Sequence, residues 1–307
     1  MSIRHAPGHP GGPIVVGVDG SEPSTIAVEW AAREAALRGR PLRILHAFLW
    51  PATGAYLGPS PEGPPDGGLR NLADELLSEA AARARSVAPG IELGTELAVC
   101  APTAWLVEES RDAAMVVVGS RGLGGFTGLL LGSVGIQLAA HARCPVVVVR
   151  AGAPGEALGP AAGQVVAGVD GSDHTEATLS FAFEAASLRR AGLTVMHAWT
   201  APISARPGDM LPLVYDVDAV NEDEARLLAE TLAGWRDKYP DVPVRRLLLH
   251  RPPARELIRL SHGARLLVVG ARGRGGFSGL LLGSVSQAAI QHASCPVAVI
   301  RVAPSRP

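Results

Sequence analysis

The sequence predicts an α/β protein of two similar halves, each an open parallel sheet of five strands flanked by helices. One observation is an internal repeat: the stretch 115–150 recurs at 266–301, and Gly119, Gly132 and Cys144 are each matched 151 residues later. The other is that short apolar runs alternate with longer segments of helical periodicity, which is typical of parallel sheets covered by helices. A length of 307 residues also suits two domains.

The repeat and the local composition divide the chain into four segments. A tail rich in Pro, Gly and His is expected to be flexible, and a second stretch rich in Pro, Gly and Ala has the composition of a linker. Each half is large enough to bury a core of its own. The predicted segments are the tail at 1–12, the first domain at 13–150, the linker at 151–163 and the second domain at 164–303.

The first half begins with a strand that leads into a capped helix. The apolar run 13–18 predicts a buried strand. Ser21 and Pro23 suit the start of a helix, because a hydroxyl can accept a hydrogen bond from the first turn and proline is tolerated there. Gly39 is expected to end this helix. The next apolar run, Leu42–Phe48, is predicted as the second strand.

The rest of the first half continues the alternation after a long loop. Residues 50–68 are rich in Pro and Gly and exceed the usual length of a connection, which indicates a lid or an excursion from the fold. The elements that follow are a helix from Leu69 to Ala80, a strand at Ile91–Val99, a helix from Pro102 to about Arg111, a strand ending at Gly119, a helix opening at Gly132-Ser133 and a strand after Cys144-Pro145.

The second half repeats this order. Val165–Val169 followed by Asp170 corresponds to the first strand followed by Asp19. A long loop recurs at about 200–220. The helix after it is marked by Leu227, Leu228, Leu232 and Trp235.

Composition narrows the class of protein. The chain has 29 acidic and 28 basic residues, so its net charge indicates no surface for nucleic acid. Its three cysteines are too few for a disulfide framework, which favours a reduced, cytoplasmic setting. No apolar run approaches the roughly 20 residues needed to span a bilayer, so no membrane association is expected.

The repeated glycines predict a ligand site. In an open parallel sheet, ligands bind beyond the carboxyl ends of the strands, which is where Asp19 and Gly119 lie. Gly119 and Gly122 allow close approaches of the backbone. Gly132-Ser133 begins a helix whose N–H groups and dipole can hold a phosphate. A single glycine cluster could be a turn only, but two matched copies favour a nucleotide.

Two common nucleotide motifs are excluded. A P-loop requires a lysine after its glycines, whereas the only lysine, Lys238, lies far from any glycine cluster. A dinucleotide fingerprint follows the first strand of its unit, whereas these glycines follow the fourth.

The spacing Gly119-x2-Gly122-x9-Gly132-Ser133, repeated from Gly270, resembles the ATP-binding pattern of the universal stress protein family. The runs VVGVDGS and VAGVDGS, the His-Ala pairs ending the second strands and the Cys-Pro pairs before the fifth strands are similar to that family too. The resemblance implies strand order 3-2-1-4-5 in each half, an adenine nucleotide alpha hydrolase-like fold. It also implies a tandem member whose halves pair through their last strands as an intrachain pseudo-dimer, and it leaves a homodimer open.

The resemblance also implies a set of nucleotide-binding residues. Asp19 and Ala47 would lie at the adenosine, and the matched residues of the second half would do the same. Apart from the resemblance, Arg121 and Arg272 lie between the first two glycines of each motif and could screen a triphosphate or could be solvated arginines. The remaining positions, around ribose and phosphates, are Gly119, Gly122, Gly132, Ser133 and Val134 in the first half, with Asp170, Ala198, Gly270, Gly273, Gly283, Ser284 and Val285 completing the second set. The implied ligand is ATP, with Mg²⁺ on its phosphates.

Other reactive residues are interpreted as structural. His46 and His197 end the second strands and are expected to be hydrogen-bonded core histidines. Cys144 and Cys295 are expected to be small buried residues. Since no metal-ligand spacing and no nucleophile–base pair is evident, the predicted function is a non-catalytic, ATP-binding regulator of the stress response with a possible protein partner. A slow ATPase or nucleotidyl-transferring enzyme and a scaffold without ligand are the alternatives.

Overall fold

The computed structural model describes residues 11–48, 68–122, 132–150, 158–200, 217–274 and 281–302. Most of the predicted tail, most of both long loops and the first part of the predicted linker lie outside these residues. The last part of that linker forms turns, in which the Gly159 N–H donates to the carbonyl of His262 at 2.9 Å. None of the helices in the described ranges is both long and apolar enough to cross a membrane.

The first half alternates strands and helices as the sequence predicts. Its elements are β1 Ile14–Val18, α1 Glu22–Arg38, β2 Leu42–Phe48, α2 Leu69–Val87, β3 Leu93–Val99, α3 Pro102–Glu109, β4 Met115–Gly119, α4 Ser133–His141 and β5 Val146–Val149.

The second half repeats this order with one difference, an additional short helix. Its elements are β6 Val165–Val169, α5 Thr175–Leu188, β7 Leu193–Trp199, α6 Val217–Thr231, α7 Trp235–Lys238, β8 Val244–His250, α8 Pro253–Ser261, β9 Leu266–Gly270, α9 Ser284–His292 and β10 Val297–Ile300.

The prediction of a single helix extending through Trp235 is therefore wrong. Gly234 adopts a left-handed conformation, with φ of 78°, and separates α6 from α7. Only glycine adopts this conformation at little cost. The break lets the Trp235 ring stack on Phe183 with 5.2 Å between ring centroids. α6 also begins at Val217, inside the segment predicted as a loop.

The ends of α1 follow from local chemistry, and both predictions are confirmed. The Ser21 hydroxyl accepts a hydrogen bond from the Ser24 N–H at 3.4 Å, with Pro23 in the first turn. Gly39 ends the helix in a left-handed conformation, with φ of 60°. Its N–H donates back into the last turn, which satisfies carbonyl groups that the helix leaves unpaired.

The strands form one sheet of ten rather than two separate sheets of five. The order is β3-β2-β1-β4-β5-β10-β9-β6-β7-β8, so each half has the parallel order 3-2-1-4-5. β5 and β10 join the halves in antiparallel register, with Val148 opposite Val297 and Val146 opposite Val299. Both strands are apolar and fully buried. Left unpaired, they would be exposed edges that attract other strands, so pairing with each other removes that hazard.

The antiparallel junction decides where the ligand sites can be. Within each half the strands are parallel, so their carboxyl ends form one edge of the sheet. Because β5 and β10 run in opposite directions, the carboxyl edges of the two halves face opposite ends of the molecule.

Helices cover both faces of the sheet. One apolar cluster packs α1, α2, α5 and α6 against it, and a second packs α3, α4, α8 and α9 on the opposite face.

On the first face, α1 and α5 also form ion pairs between the halves. Glu34, 1% exposed, accepts from Arg38 at 2.6 Å and from Arg189 of the other half. Arg38 also pairs with Glu184 at 2.9 Å.

Candidate functional site

The predicted site residues of each half lie together at its carboxyl edge. β1 pairs with β4 and with β2, so Asp19, Gly119 and Ala47 all follow or end neighbouring strands at that edge. Leu45 belongs to the apolar cluster on the α3 face, and a Cβ on Gly17 would touch Leu106 of α3. Because side chains alternate along a strand, the positions of Ala47 and Asp19, each two residues further on, fall on that same face. The second half repeats this arrangement around Asp170, Ala198 and Gly270.

The aspartates are held by the turns that contain them. Asp19 Oδ1 accepts from the N–H of Ser21 at 3.1 Å and from its hydroxyl at 2.6 Å. Asp170 Oδ1 accepts from the Ser172 N–H at 3.0 Å. Asp170 Oδ2 accepts from the Arg274 N–H at 2.7 Å. Each carboxylate is therefore fixed in orientation at the strand end.

Gly122 and Gly273 provide room for these carboxylates. A Cβ built on Gly122 would overlap Asp19 Oδ2, and a Cβ on Gly273 would overlap Asp170 Oδ2. The close approach expected at these positions is therefore made to the protein's own aspartate.

Gly119 and Gly270 are required by packing. A Cβ on Gly119 would lie 2.7 Å from the carbonyl carbon and oxygen of Pro23 in α1. A Cβ on Gly270 would lie 2.8 Å from the Cβ of His174. Neither glycine has room for a side chain even without a ligand.

Gly132 and Gly283 differ from the other glycines of the motif. Among the atoms of the described residues, a Cβ on Gly132 would find none closer than 3.7 Å and one on Gly283 none closer than 3.4 Å, which are ordinary contacts. Both have negative φ, so backbone conformation does not require glycine. Each is the N-cap of its helix, α4 or α9, and neither helix has a side-chain cap. Packing within the described residues thus gives no reason for glycine here.

The residues after each N-cap fall into two groups. Ser133 and Ser284 begin their helices on the exposed surface. Val134 and Val285 are half-buried and pack against the apolar cluster. The residues at 123–131 and 275–280, between the glycines of the motif, lie outside the described ranges.

Arginines gather near each helix N-terminus. Arg121 and Arg272, the predicted screening residues, are exposed. Burial and the charge of Arg121 lower the pKa of Arg150, which directly follows β5. Burial and the charges of Arg272 and Arg143 lower the pKa of Arg301, which directly follows β10. Sequence reasoning missed Arg150 and Arg301, although an arginine directly after the last strand of both halves was a visible signal.

The two sites are not identical. His174 lies at the start of α5, where the first half has Pro23. Burial, followed by the charges of Arg272 and Arg301, lowers the pKa of His174. This residue too was missed, although the departure from the repeat marks it.

A second difference lies beside Asp170. Glu224 Oε2 is 2.7 Å from His197 Nε2 and 3.7 Å from Arg274 Nη1. Ala73 occupies the position of Glu224 in the first half, so there is no carboxylate at that position there.

The histidines make the hydrogen bonds expected of them, although His46 is half-buried whereas His197 is buried, and the cysteines are buried as expected. Nδ1 of His46 bonds to the carbonyl of Val18 at 2.8 Å, and Nδ1 of His197 bonds to the matching carbonyl in the second half, also at 2.8 Å. Cys144 and Cys295 are buried, and burial raises the pKa of each thiol to about 12. Thiols with so high a pKa are unreactive at neutral pH.

Comparisons with known proteins give the family. The profile of the universal stress protein family matches residues 12–150 and 162–301. A universal stress protein of Mycobacterium tuberculosis is 39% identical over 294 residues, covering 94% of this chain and 96% of the relative.

One solved structure shows the same fold along nearly the whole chain. The crystal structure of a universal stress protein from Archaeoglobus fulgidus DSM 4304 aligns with a TM-score of 0.66 at 18% identity, covering 95% of this chain and 98% of that one. A universal stress protein from Archaeoglobus fulgidus in complex with dAMP matches 45% of this chain and 97% of its own, at 28% identity and a TM-score of 0.33. With two matches of the family profile and a relative of such similarity along nearly its whole length, the chain belongs to the universal stress protein family.

Proposed function

We propose that this protein binds one adenine nucleotide at each carboxyl edge, with ATP and Mg²⁺ as the expected ligand, and acts as a non-catalytic regulator of the stress response. The observation that carries the proposal is the pair of helix N-caps at Gly132 and Gly283. Both are glycine without a conformational or packing reason within the described residues. A ligand that lies against the backbone at these two positions supplies that reason.

A phosphate fits the chemistry of these N-termini. The first N–H groups of a helix have no partner within the helix, and the helix dipole favours an anion there. The N-caps of α4 and α9 provide no side-chain acceptor that would compete. Arg121 and Arg150 place further positive charge near the first N-terminus, and Arg272 and Arg301 do so near the second.

Asp19 and Asp170 suit the other end of the nucleotide. Fixed carboxylate oxygens can accept hydrogen bonds from ribose hydroxyl groups, and each oxygen has two lone pairs. Ala47 and Ala198 lie near the ends of the strands that pair with β1 and β6, and their small side chains suit the approach of a flat adenine ring.

Mg²⁺ fits as a partner of the phosphates. In the described part of the chain, no three His, Cys, Asp or Glu side chains are grouped closely enough to hold a metal ion. Mg²⁺ retains several waters and is commonly held by substrate phosphates with few protein ligands. It would therefore arrive with the nucleotide, and the ion's role is to offset phosphate charge.

Three free thiols accord with a reduced, cytoplasmic setting.

The test is whether protein purified without added nucleotide carries adenine nucleotide, identified by mass spectrometry, and whether two replacements remove it. Gly132→Asp and Gly283→Asp each place a favoured N-cap residue where there is room for it, so the helices should remain folded. Each also places negative charge where phosphate is expected. Gly132→Asn and Gly283→Asn are the matched controls, since they cap similarly without charge.

We expect calorimetry to show two ATP per native chain, one in each Asp variant and none in the double Asp variant. The Asn variants should retain more affinity than the Asp variants. Unchanged ATP affinity in the double Asp variant would contradict the proposed site, and no ATP binding by the native chain would contradict the proposed function.

A further inference from the structure

Each half of the molecule provides one arginine to a helix of the other half. Arg150 Nη2 donates to the carbonyl oxygen of Gln291, in the last turn of α9, at 2.6 Å. Arg301 Nη1 donates to the carbonyl oxygen of Ala139, near the end of α4, at 3.4 Å. The two arginines occupy matched positions of the repeat. The contacts therefore form a reciprocal pair across the junction of the halves.

The antiparallel junction explains why these contacts are possible. Because Val146 is paired with Val299, β5 starts beside the carboxyl end of β10. α4 leads into β5, so it begins at the carboxyl edge of the first half and ends at the carboxyl edge of the second. α9 runs between the same two edges in the opposite direction. Each nine-residue helix therefore extends from one candidate nucleotide site towards the other.

Arg301 also contacts the site of its own half. Its Nη1 lies 3.4 Å from the carbonyl oxygen of Leu281, two residues before Gly283 at the start of α9. Its bonds to α4 and to this loop are both long, so neither holds it strongly. Burial and the nearby charges of Arg272 and Arg143 lower its pKa, and an anion placed among these groups would relieve that repulsion.

We infer that Arg150 and Arg301 couple the two nucleotide sites negatively, an inference that rests on the proposed function of those sites. A triphosphate in the second site attracts Arg301 more than a neutral carbonyl does, since charge-assisted hydrogen bonds are about twice as strong as neutral ones. Arg301 is then drawn away from α4.

The consequence reaches the first site through α4. A cation near a helix C-terminus stabilises the helix, so withdrawal of Arg301 destabilises α4, whose N-terminus holds the other nucleotide. Arg150 is the matched cation at the end of α9, and Arg121 of the first site already repels it, so a triphosphate in that site should draw it away from Gln291 in the same way. Filling either site therefore weakens the other, and thermodynamic linkage makes the effect mutual.

The test is calorimetric titration of three full-length proteins with ATP and Mg²⁺: the native chain, Gly132→Asp with only the second site, and Gly283→Asp with only the first. If the sites were independent, the native isotherm would equal the sum of the two single-site isotherms. We expect the second ATP to bind about two- to fivefold more weakly than this sum requires, which is the effect of a cation at a helix end expressed as an equilibrium constant.

The role of the arginines is tested by adding Arg150→Gln and Arg301→Gln together to the same three proteins, which should make the isotherms additive. Glu184→Gln is the matched control. It removes the 2.9 Å ion pair with Arg38, a contact between the halves on the other face of the sheet, and should leave the coupling unchanged. Cooperative thermal unfolding checks that each variant is folded.

The outcomes separate the coupling from the binding. Additive isotherms in the native chain, with both sites binding, overturn the coupling and leave the proposed function standing. Coupling that persists without the two arginines overturns their role. If the native chain binds one ATP and each single Asp variant also binds one, the coupling is supported. If the native chain binds one ATP and only one of the single Asp variants binds ATP, the coupling is overturned. A native chain that binds no ATP refutes the proposed function itself.

Discussion

His174 lies against Gly270 at the second site, so closely that a Cβ on the glycine would come within 2.8 Å of the histidine Cβ. The first half has Pro23 at this position, which cannot titrate. Burial lowers the pKa of His174, the charges of Arg272 and Arg301 lower it further, and the charges of Asp170 and Asp173 oppose the shift. The histidine is therefore a titratable group present at only one of the two sites.

We predict that ATP binding at the second site takes up protons at His174. Phosphate charge offsets the nearby arginines, so the pKa of His174 should rise when ATP binds. The complex then holds more protons than the apo-protein, and affinity at the second site should increase as the pH falls through about 6.5. Calorimetry at this pH in buffers of different ionisation enthalpy measures the uptake.

The single-site variants provide the comparison, because the phosphates of ATP titrate at both sites. Gly132→Asp, which leaves the second site, should take up more protons than Gly283→Asp, and His174→Gln should remove the difference. Equal uptake by the two variants would contradict the role of His174. The lowered pKa of His174 also affects the stability of the apo-protein. Below about pH 6.5 the unfolded chain binds a proton at this group more readily than the folded chain does, so the free energy of unfolding should decrease as the pH falls through the folded pKa.

We predict that two glycines of one motif fail in different ways when changed to alanine. Gly119→Ala forces a Cβ against the backbone of Pro23, so it should destabilise the nucleotide-free protein by about 1–3 kcal/mol, as overpacking does. Gly132→Ala meets only ordinary contacts within the described part of the chain, so it should change the free energy of unfolding by less than about 1 kcal/mol. It should instead weaken ATP binding at the first site by about tenfold, the effect of one lost hydrogen bond to a charged group.

Urea unfolding without nucleotide and calorimetry with ATP measure the two effects. Gly270→Ala and Gly283→Ala provide the same comparison in the second half. If Gly132→Ala unfolds as easily as Gly119→Ala and binds ATP normally, then Gly132 is a structural turn and the assignment of the site is wrong.

The sequence predicts those features that depend on local chemistry. Ser21 and Gly39 mark the ends of α1 because capping involves only neighbouring residues. The matched strands and their parallel order were likewise predictable, with the order drawn from the family resemblance. The break at Gly234 was harder to predict, because a glycine within an apolar helical pattern can be tolerated or can end the helix.

Long-range pairing limits the rest of the prediction. The valines of β5 indicate a buried strand but not the strand that lies beside it, and only the family resemblance implied that the last strands of the two halves pair, as the structure confirms. The continuous sheet and the contacts of Arg150 and Arg301 both depend on that pairing with β10. The role of Gly122 was also beyond reach, since only the folded chain shows that Asp19 fills the space beside it.

We predict that the protein does not turn over ATP at the roughly 1–10³ s⁻¹ of ordinary enzymes. The groups expected around the phosphates of both sites are backbone N–H groups, Ser133, Ser284 and arginines, which bind an anion but accept no proton at neutral pH. His174 is present at the second site only, and the rise in its pKa expected with ATP would keep it protonated there, so it is not expected to act as a base. Phosphoryl transfer to water needs a residue that positions or deprotonates the water. Phosphate release should therefore stay near background during hours with excess ATP. Release at enzymatic rates that disappears in the double Asp variant would establish an ATPase instead.

We predict that the buried ion pairs of Glu34 contribute strongly to stability. Glu34 is 1% exposed and lies between Arg38 and Arg189, which belong to different halves. Burial lowers the pKa of Arg38, but the charges of Glu34 and Glu184 outweigh it and the net pKa is raised. Glu34→Gln leaves two buried guanidinium groups without their shared carboxylate. Removal of one partner from such a group costs about 3–5 kcal/mol of unfolding free energy.

Glu184→Gln is the control for this change. Glu184 pairs with the same arginine, but its side chain is 49% exposed, so the loss should be below about 1 kcal/mol. Urea unfolding of both variants measures the difference. Because the network joins the halves, Glu34→Gln should also separate their unfolding transitions if either half can remain folded alone. Equal, small losses in the two variants would show that hydration compensates for the missing carboxylate, and that the sheet junction alone holds the halves together.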